Sequence, residues 1–396
     1  MPKDPSTTPP RIALIGPTHP APGGVVHFTA GLASALRPRG LVLTVGWRRG
    51  YPERLHPGSV RDTSSRRAVS APNAEPILDL LRPRSWVAAA KRIANSGAEV
   101  AVVQWVHPIH APVIAVMSRV LRRRGVGVVL ICHNIEPHET NRIWRSATRL
   151  VLRGAGALVV HAAPLRDQAR RLAPTVPIVQ AFMPAFTNVA DELGAASSEE
   201  IATLRERLRA GDRMLLLVFG YLRPYKGAED AIAAMAHVSS DALLVVAGEC
   251  WGDPNRFAEA AAAAGVADRV VFDLKYQANE ALPALFGAAD VVVLPYRSAT
   301  QSAVAALAFA YGRPVVATDV GGLSELVKEG VTGALARPSD PRSLAEAIDR
   351  VLNVDRPWGP ALADTSHQLS FERYAALVED AGRLAVQGVK RRRLDK

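Results

Sequence analysis

The chain has 396 residues, 48% of them hydrophobic and 21% charged, enough for two cores and too apolar for a disordered polymer. Its net charge is +11, and its two cysteines, Cys132 and Cys250, stand in separate apolar segments, which excludes a disulfide framework and a cysteine-rich metal site. The opening "MPKDPSTTPP" is polar, and the apolar run "IHAPVIAVMSRVL" is cut short by "RRRG", so the reading is of a chain without signal peptide or spanning helix, kept in the cytoplasm with both thiols buried and reduced.

In chain order, "RIALIG" reads as a short strand and "GGVVHFTAGLASALRPRG" as a helix with a glycine stop. "LVLTVGW" is a second strand, and residues 48–85, rich in Arg, Pro and Ser, read as irregular. Strand "AEVAVVQWV", helix "IHAPVIAVMSRVLRRRG", strand "VGVVLICHN", helix "IWRSATRLVLRGAG", strand "ALVVHA", helix "PLRDQARRLA" and strand "PIVQAF" follow. After a polar stretch the rhythm restarts with "MLLLVFGY" and runs through "ALLVVAGEC", "RVVFDLKY", "DVVVLPY" and "RPVVAT", each strand followed by a helical segment, and "SFERYAALVEDAGRLAVQ" closes the chain as a helix. Alternating apolar strands and amphipathic helices predict parallel sheets covered on both faces. The expected division is a tail at 1–10, a doubly wound domain at 11–183, a linker at 184–212, a second such domain at 213–362, and a terminal helix with basic tail at 363–396 packing back on the first domain.

Charge divides the chain as well. Residues 1–183 carry 25 Lys/Arg against 9 Asp/Glu, a balance of +16, whereas the remainder is net −5. A basic half with runs such as "LRRRG", "RRGYPER" and "SSRR" predicts an anionic partner, for which a membrane surface is the reading; no helix-turn-helix, zinc or aromatic signature points to nucleic acid.

Ligands of open parallel sheets sit at the carboxyl ends of the strands, so the loops there carry the chemistry, and two such domains facing one another would make a cleft. "GPTHPAPGG" is neither G-x-G-x-x-G nor a P-loop, but Gly23 and Gly24 open a helix whose bare amides suit a phosphate or sugar oxygen. "CHNIEPHE" puts His133 at a strand end, followed by Glu136, His138 and Glu139 on a proline-broken loop that gives a metal no rigid frame. His133 is therefore read as a hydrogen-bonding or polarising group, with Gln104 and His107 of "VVQWVHP" beside it on the acceptor side. "FGYLRPYKGAED" offers Arg223 and Lys226 before a helix start, a pattern suited to clamping a diphosphate. "YRSATQSAV" places Thr300, Gln301 and Ser302 at another helix start, where they serve an anion or simply cap the helix.

With "GG", "HN", "G-x-L-x-P-x-K-G" and "GRPVVATDVGGLSELV" at strand ends, nearly the whole chain resembles the family 4 glycosyltransferases of GT-B fold, two tandem Rossmann-like domains. The resemblance implies retaining, metal-independent transfer of a sugar from a nucleotide-sugar donor to a glycan, lipid-linked or small-molecule acceptor, without cofactor. The donor would lie on the C-terminal domain and the acceptor mainly on the N-terminal one. Gly23 and Gly24 would line the donor phosphates, His133 would sit by the transferred sugar, Lys226 would hold the diphosphate, and Glu325 matches the glutamate after the glycine pair. The departures are specific. Ala299 and Leu307 stand where the family commonly has two glutamates, and Tyr221 stands where it has arginine, with Arg223 two residues on. A polar elbow "SATQS" in their place indicates substitution rather than decay, so an active transferase is the expectation. The alternatives are a non-catalytic GT-B nucleotide- or glycan-binding protein and a nucleotide-sugar epimerase.

Overall fold

The structure is a computed structural model of the chain and describes residues 9–52, 61–71, 73–135, 142–354 and 357–394. It divides into two compact units: one holds the described parts of Met1–His56, Ser70–Phe182 and Phe371–Lys396, the other those of Pro57–Val69 and Met183–Ser370.

The first unit is built on strands β1 (Ile12–Ile15), β2 (Leu41–Arg49), β3 (Ala74–Asp79), β4 (Val100–Trp105), β5 (Gly127–Cys132), β6 (Ala157–Val160) and β7 (Ile178–Gln180). They form one parallel sheet in the order β3-β2-β1-β4-β5-β6-β7. The inner strands are apolar along their length because both faces are covered. Helices α1 (Gly24–Leu36), α2 (Pro83–Asn95), α3 (Ala111–Arg123), α4 (Arg142–Gly154) and α5 (Ala163–Leu172) connect them, with α2, α3, α4 and α5 packing in succession. The chain order reverses between β1 and β4, and that switch point is where an open sheet leaves room for a ligand.

Residues 184–212, read as a linker, fold instead as α6 (Thr187–Leu193) and α7 (Ser198–Arg207) of the second unit. A reciprocal capping box starts α7: Ser197 Oγ accepts from the Glu200 amide at 3.1 Å, and the Glu200 carboxylate accepts from the Ser197 amide at 2.7 Å. The second sheet comprises β8 (Met214–Phe219), β9 (Ala242–Ala247), β10 (Val270–Asp273), β11 (Val291–Leu294), β12 (Val315–Thr318) and β13 (Gly333–Ala336), in the order β10-β9-β8-β11-β12-β13. Between and after them lie α8 (Ala228–Ala234), α9 (Asn255–Ala263), α10 (Leu282–Ala288), α11 (Ala303–Ala310), α12 (Leu323–Leu326), α13 (Pro341–Leu352) and α14 (Gly359–Gln368). Its switch point falls between β8 and β11.

The last helix, α15 (Phe371–Leu394), belongs to the first unit and packs beside α1 over β4 to β7. Small residues make the room: a Cβ on Gly31 would fall 2.4 Å from the Phe371 ring, and one on Gly156 2.8 Å from Ala385. The stretch read as irregular also departs from expectation twice. It contains β3, and its residues 61–69 dock in the second unit as a strap. There the Asp62 carboxylate accepts from the Ser64 and Ser65 amides at 3.1 and 2.9 Å and from the Tyr276 hydroxyl at 3.2 Å. Asn279 completes the join by donating to Ser65 Oγ at 2.8 Å and to the Arg67 carbonyl at 2.9 Å.

Candidate active site

In the first unit the loops after β1, β4 and β5 gather the sequence-selected residues. Gly23, at φ +97°, caps α1, and Gly24 begins it. Gln104 was read as facing the acceptor; it is buried instead, 3% exposed, and works inward. Its Nε2 donates to Thr29 Oγ1 at 2.7 Å, and that hydroxyl donates to the Val25 carbonyl at 2.8 Å. The Gln104 Oε1 is thereby left to accept from His133 Nε2 at 3.0 Å. A side chain on Gly16 would close this crossing, because its Cβ would stand 2.3 Å from Gln104 Nε2.

The direction of these bonds fixes the tautomer. His133 carries its proton on Nε2, so Nδ1 is the acceptor of the ring. Burial pushes the His133 pKa down to about 4, so the imidazole is neutral at physiological pH. Phe28 of α1 meets it edge-on at 4.8 Å and meets His161, whose Nε2 lies 2.9 Å from the Tyr374 hydroxyl of α15. Thr29, Phe28, His161 and Tyr374 were absent from the sequence reading; the first two were legible in principle from their place on the first buried turns of α1.

His107 takes a different position. Its Nδ1 accepts from the Ile109 amide at 3.1 Å, capping a short 3-10 turn, and its ring lies 5.7 Å from Trp144 of α4 and 6.4 Å from Tyr51. Trp47 and Tyr51 flank buried His110 at 4.6 and 5.0 Å, so an aromatic group lines the ends of β2 and β4. Glu136, His138 and Glu139 lie outside the described residues.

In the second unit the loops after β8 and β11 meet at the switch point. Lys226 is only 9% exposed; its Nζ lies 3.1 Å from where a Cβ on Gly220 would stand and 5.3 Å from the Tyr296 ring centre. The acids nearest in sequence are engaged elsewhere: Asp230 takes both arms of Arg297 at 2.7 and 2.9 Å, and Glu229 pairs with Arg256 at 2.9 Å. Among the described residues no carboxylate pairs with Lys226, and burial, opposed by Tyr225 and aided by the Arg223 charge, holds its pKa below the lysine range. Arg223 itself lies with its guanidinium 3.8 Å over the Trp251 ring and with Nε buried, without a hydrogen-bond partner among the described residues. Tyr221 sits 5.4 Å from Trp251 and 6.3 Å from Tyr276. Trp251 and Tyr276 escaped the sequence reading, although both follow strand ends as the selected residues do.

Across the switch point, Ser302 Oγ caps α11 by accepting from the Ala305 amide at 3.2 Å, with Thr300 and Gln301 half-buried just before it. Gly321 must be glycine here: at φ +56° its Cβ would come within 1.7 Å of the Ala299 carbonyl, so the elbow and the glycine pair are pressed together. Leu307 is buried among the apolar residues of α11, while Glu325 is exposed on α12. Cys132 is buried as expected; Cys250 is instead half-exposed. No group of His, Cys, Asp and Glu suited to a metal occurs among the described residues, and none of their helices is long and apolar enough to cross a membrane.

Residues 213–354 match the family model described as glycosyl transferases group 1. Alpha-D-kanosaminyltransferase of Streptomyces kanamyceticus is 29% identical over 273 residues, covering 65% of this chain and 69% of that one. D-inositol 3-phosphate glycosyltransferase of Acidothermus cellulolyticus is 29% identical over 390 residues, covering 87% and 83%. Among solved structures, Anabaena Alr3699/HepE in complex with UDP is similar with a TM-score of 0.68 at 18% identity, over 94% of this chain and 100% of that one. The chain therefore has the GT-B fold and is similar to glycosyltransferases over most of its length, and its residues 213–354 form a glycosyl transferases group 1 domain.

Proposed function

We propose that the chain transfers a sugar, with retention, from a nucleoside-diphosphate sugar bound on the second unit to a hydroxyl of an acceptor bound on the first. The observation that carries this reading is Lys226, a buried cation with no carboxylate partner among the described residues, set with Arg223 at the switch point of a parallel sheet. In the transfer, the acceptor hydroxyl oxygen bonds to the anomeric carbon on the same face from which the diphosphate departs, as the bond from that carbon to the diphosphate breaks, and the hydroxyl proton passes to the departing phosphate oxygen. Negative charge grows on the leaving diphosphate, where Lys226 and Arg223 would stabilise it in place of a metal. The hydroxyl oxygens of Thr300 and Ser302, with the Gln301 side-chain carbonyl oxygen, would accept hydrogen bonds from the donor in place of the missing carboxylates. Gly23 and Gly24 would approach the donor phosphates, Glu325 the donor sugar, and neutral His133 would accept a hydrogen bond from the transferred sugar through Nδ1. Gln104 is a positioning residue that fixes the His133 tautomer, and His107, with the aromatic group around it, would receive the acceptor.

The name of one relative contains a phosphorylated cyclitol, inositol 3-phosphate, and that of the other gives only the transferred group, kanosaminyl. We place this chain's acceptor at an anionic cytoplasmic membrane surface, on the strength of the +16 balance of residues 1–183. A binding-only role is the second reading, favoured by the loss of both acids at Ala299 and Leu307. Incubating the protein with a panel of nucleotide sugars, with and without lipid or glycan acceptors, separates the possibilities. Acceptor-dependent release of nucleoside diphosphate is expected; binding without turnover would establish the second reading, and interconversion of the donor an epimerase. Ala299→Glu, which restores one acid, is expected to leave turnover unimproved because the polar elbow already fills that role. A tenfold gain in kcat would mark the elbow as a decayed carboxylate site.

A further inference from the structure

Helix α4 (Arg142–Gly154) turns Thr148, Val151 and Leu152 into the core of the first unit, yet its outer face is not polar throughout. Ile143 and Leu150 on that face are 75% and 66% exposed, more than any other large hydrophobic side chain among the described residues. They are seven residues apart, which stacks them two turns apart on one stripe. Arg142 and Arg149 stand beside them with the same spacing, Arg145 is exposed as well, Arg153 donates its Nε to the Leu172 carbonyl at 2.9 Å, and the helix contains no acid. An outward helix face in a soluble domain ordinarily carries mixed charges and no apolar stripe.

We propose that this face of α4 is a docking surface for an anionic lipid bilayer, with Ile143 and Leu150 entering the headgroup boundary and the arginines meeting lipid phosphates. Charge complementarity selects this occupant. A second copy would set arginines against arginines, and a neutral surface would leave them unmatched. Long arginine side chains keep their heads among phosphates while their stems lie along the apolar stripe. The neighbouring α3 adds exposed Arg123, while Arg124 just beyond it donates to Asn95 Oδ1 at the end of α2 at 3.3 Å. Arg122 of the same run is instead spent inside the protein, donating to the Gly154 carbonyl at 2.6 Å and so capping α4. The arginine run thus contributes partly as architecture, which its sequence does not disclose.

The inner side of α4 carries Trp144 against His107, so a docked helix sets the acceptor-side aromatic group about one helix diameter, about 10–12 Å, from the headgroups. This link to an acceptor rests on the transferase reading; the docking does not. The test is co-sedimentation of the full chain with phosphatidylcholine vesicles, with and without phosphatidylglycerol. Binding to the anionic vesicles is expected and should fall as salt is raised. Arg142→Ser with Arg149→Ser should weaken it about fivefold per arginine, and Ile143→Ser with Leu150→Ser by about tenfold or more. All four side chains are exposed, so melting temperature and donor binding should match wild type. Equal pelleting with neutral and anionic vesicles, or wild-type pelleting by both double variants, would overturn the proposal. A dimer that both variants abolish would assign the face to self-association instead. Failure of docking with donor turnover intact would leave the transferase standing, and the converse result would leave the docking standing.

Discussion

Lys226→Met is expected to weaken nucleoside diphosphate binding by roughly ten- to a hundredfold while leaving the unliganded protein at least as stable as wild type. A charge-assisted contact of this kind is worth about 1.5–3 kcal/mol, and about 1.4 kcal/mol is a factor of ten in affinity. The second half of the prediction follows from burial. An ammonium that is 9% exposed, and that pairs with no carboxylate among the described residues, has given up water without an anionic partner among them. Removing such a charge while keeping the length and flexibility of the side chain relieves a cost. The opposite signs are the point of the experiment. Were Lys226 a structural cation, methionine would lower the melting temperature; a cation held for a ligand loses only the ligand. Isothermal titration with a nucleoside diphosphate, paired with thermal melting, reads both. Unchanged affinity in a folded variant would remove Lys226 from the donor site, and lost stability at full affinity would make it a structural residue.

Lys226 was legible because a strand ending in glycine, a short basic loop and a helix start is a local pattern. Its burial was not, since that depends on Tyr296 and the start of α11, which come about seventy residues later. The alternation of strands and helices was readable for the same local reason, and the exceptions have physical causes. Strand β3, "AEPILD", contains a proline and mixed polarity, which only an edge position tolerates, and β3 is the edge of its sheet. The polar composition of 184–212 suggested a linker, yet Ser197 and Glu200 have capping-box spacing, and a helix start was there to be read. Gln104 was placed on the wrong side because a polar residue at a strand end reads as solvent-facing. Only the absence of a side chain at Gly16 and the hydroxyl of Thr29, 75 residues earlier, turn it inward. The strap is the extreme case: Asp62 and Tyr276 are 214 residues apart, and nothing local to "RDTSSRR" says where it docks.

The first unit is expected to lose stability between pH 7 and pH 5 far more than the second. His110, His133 and His161 are all buried in it, at 3%, 8% and 2% exposure. Burial lowers the pKa of His110 and of His133 to about 4 and that of His161 well below the usual histidine value, with proximity to His133 adding to the shift of His161. The sign follows from proton counting. Between the unfolded value near 6.5 and the folded value, the unfolded chain binds protons that the native state refuses, so acid favours unfolding. The stability is complete above about pH 6.5 and declines as pH falls towards 4. At pH 5, His110 and His133 together should have withdrawn about 4 kcal/mol, a large share of a typical domain's reserve. In the second unit the described histidines, His237 and His367, are exposed. Its Asp62 and Asp349, whose carboxyls are held low by serine hydrogen bonds that outweigh burial, lose their contribution only below the ordinary aspartate range. Pulsed hydrogen exchange at one common pH, after equilibration in urea at pH 7 or pH 5, would report the two units by segment. A matched acid shift in both units, or a His133→Gln variant as acid-labile as wild type, would show that the buried imidazoles are not the cause.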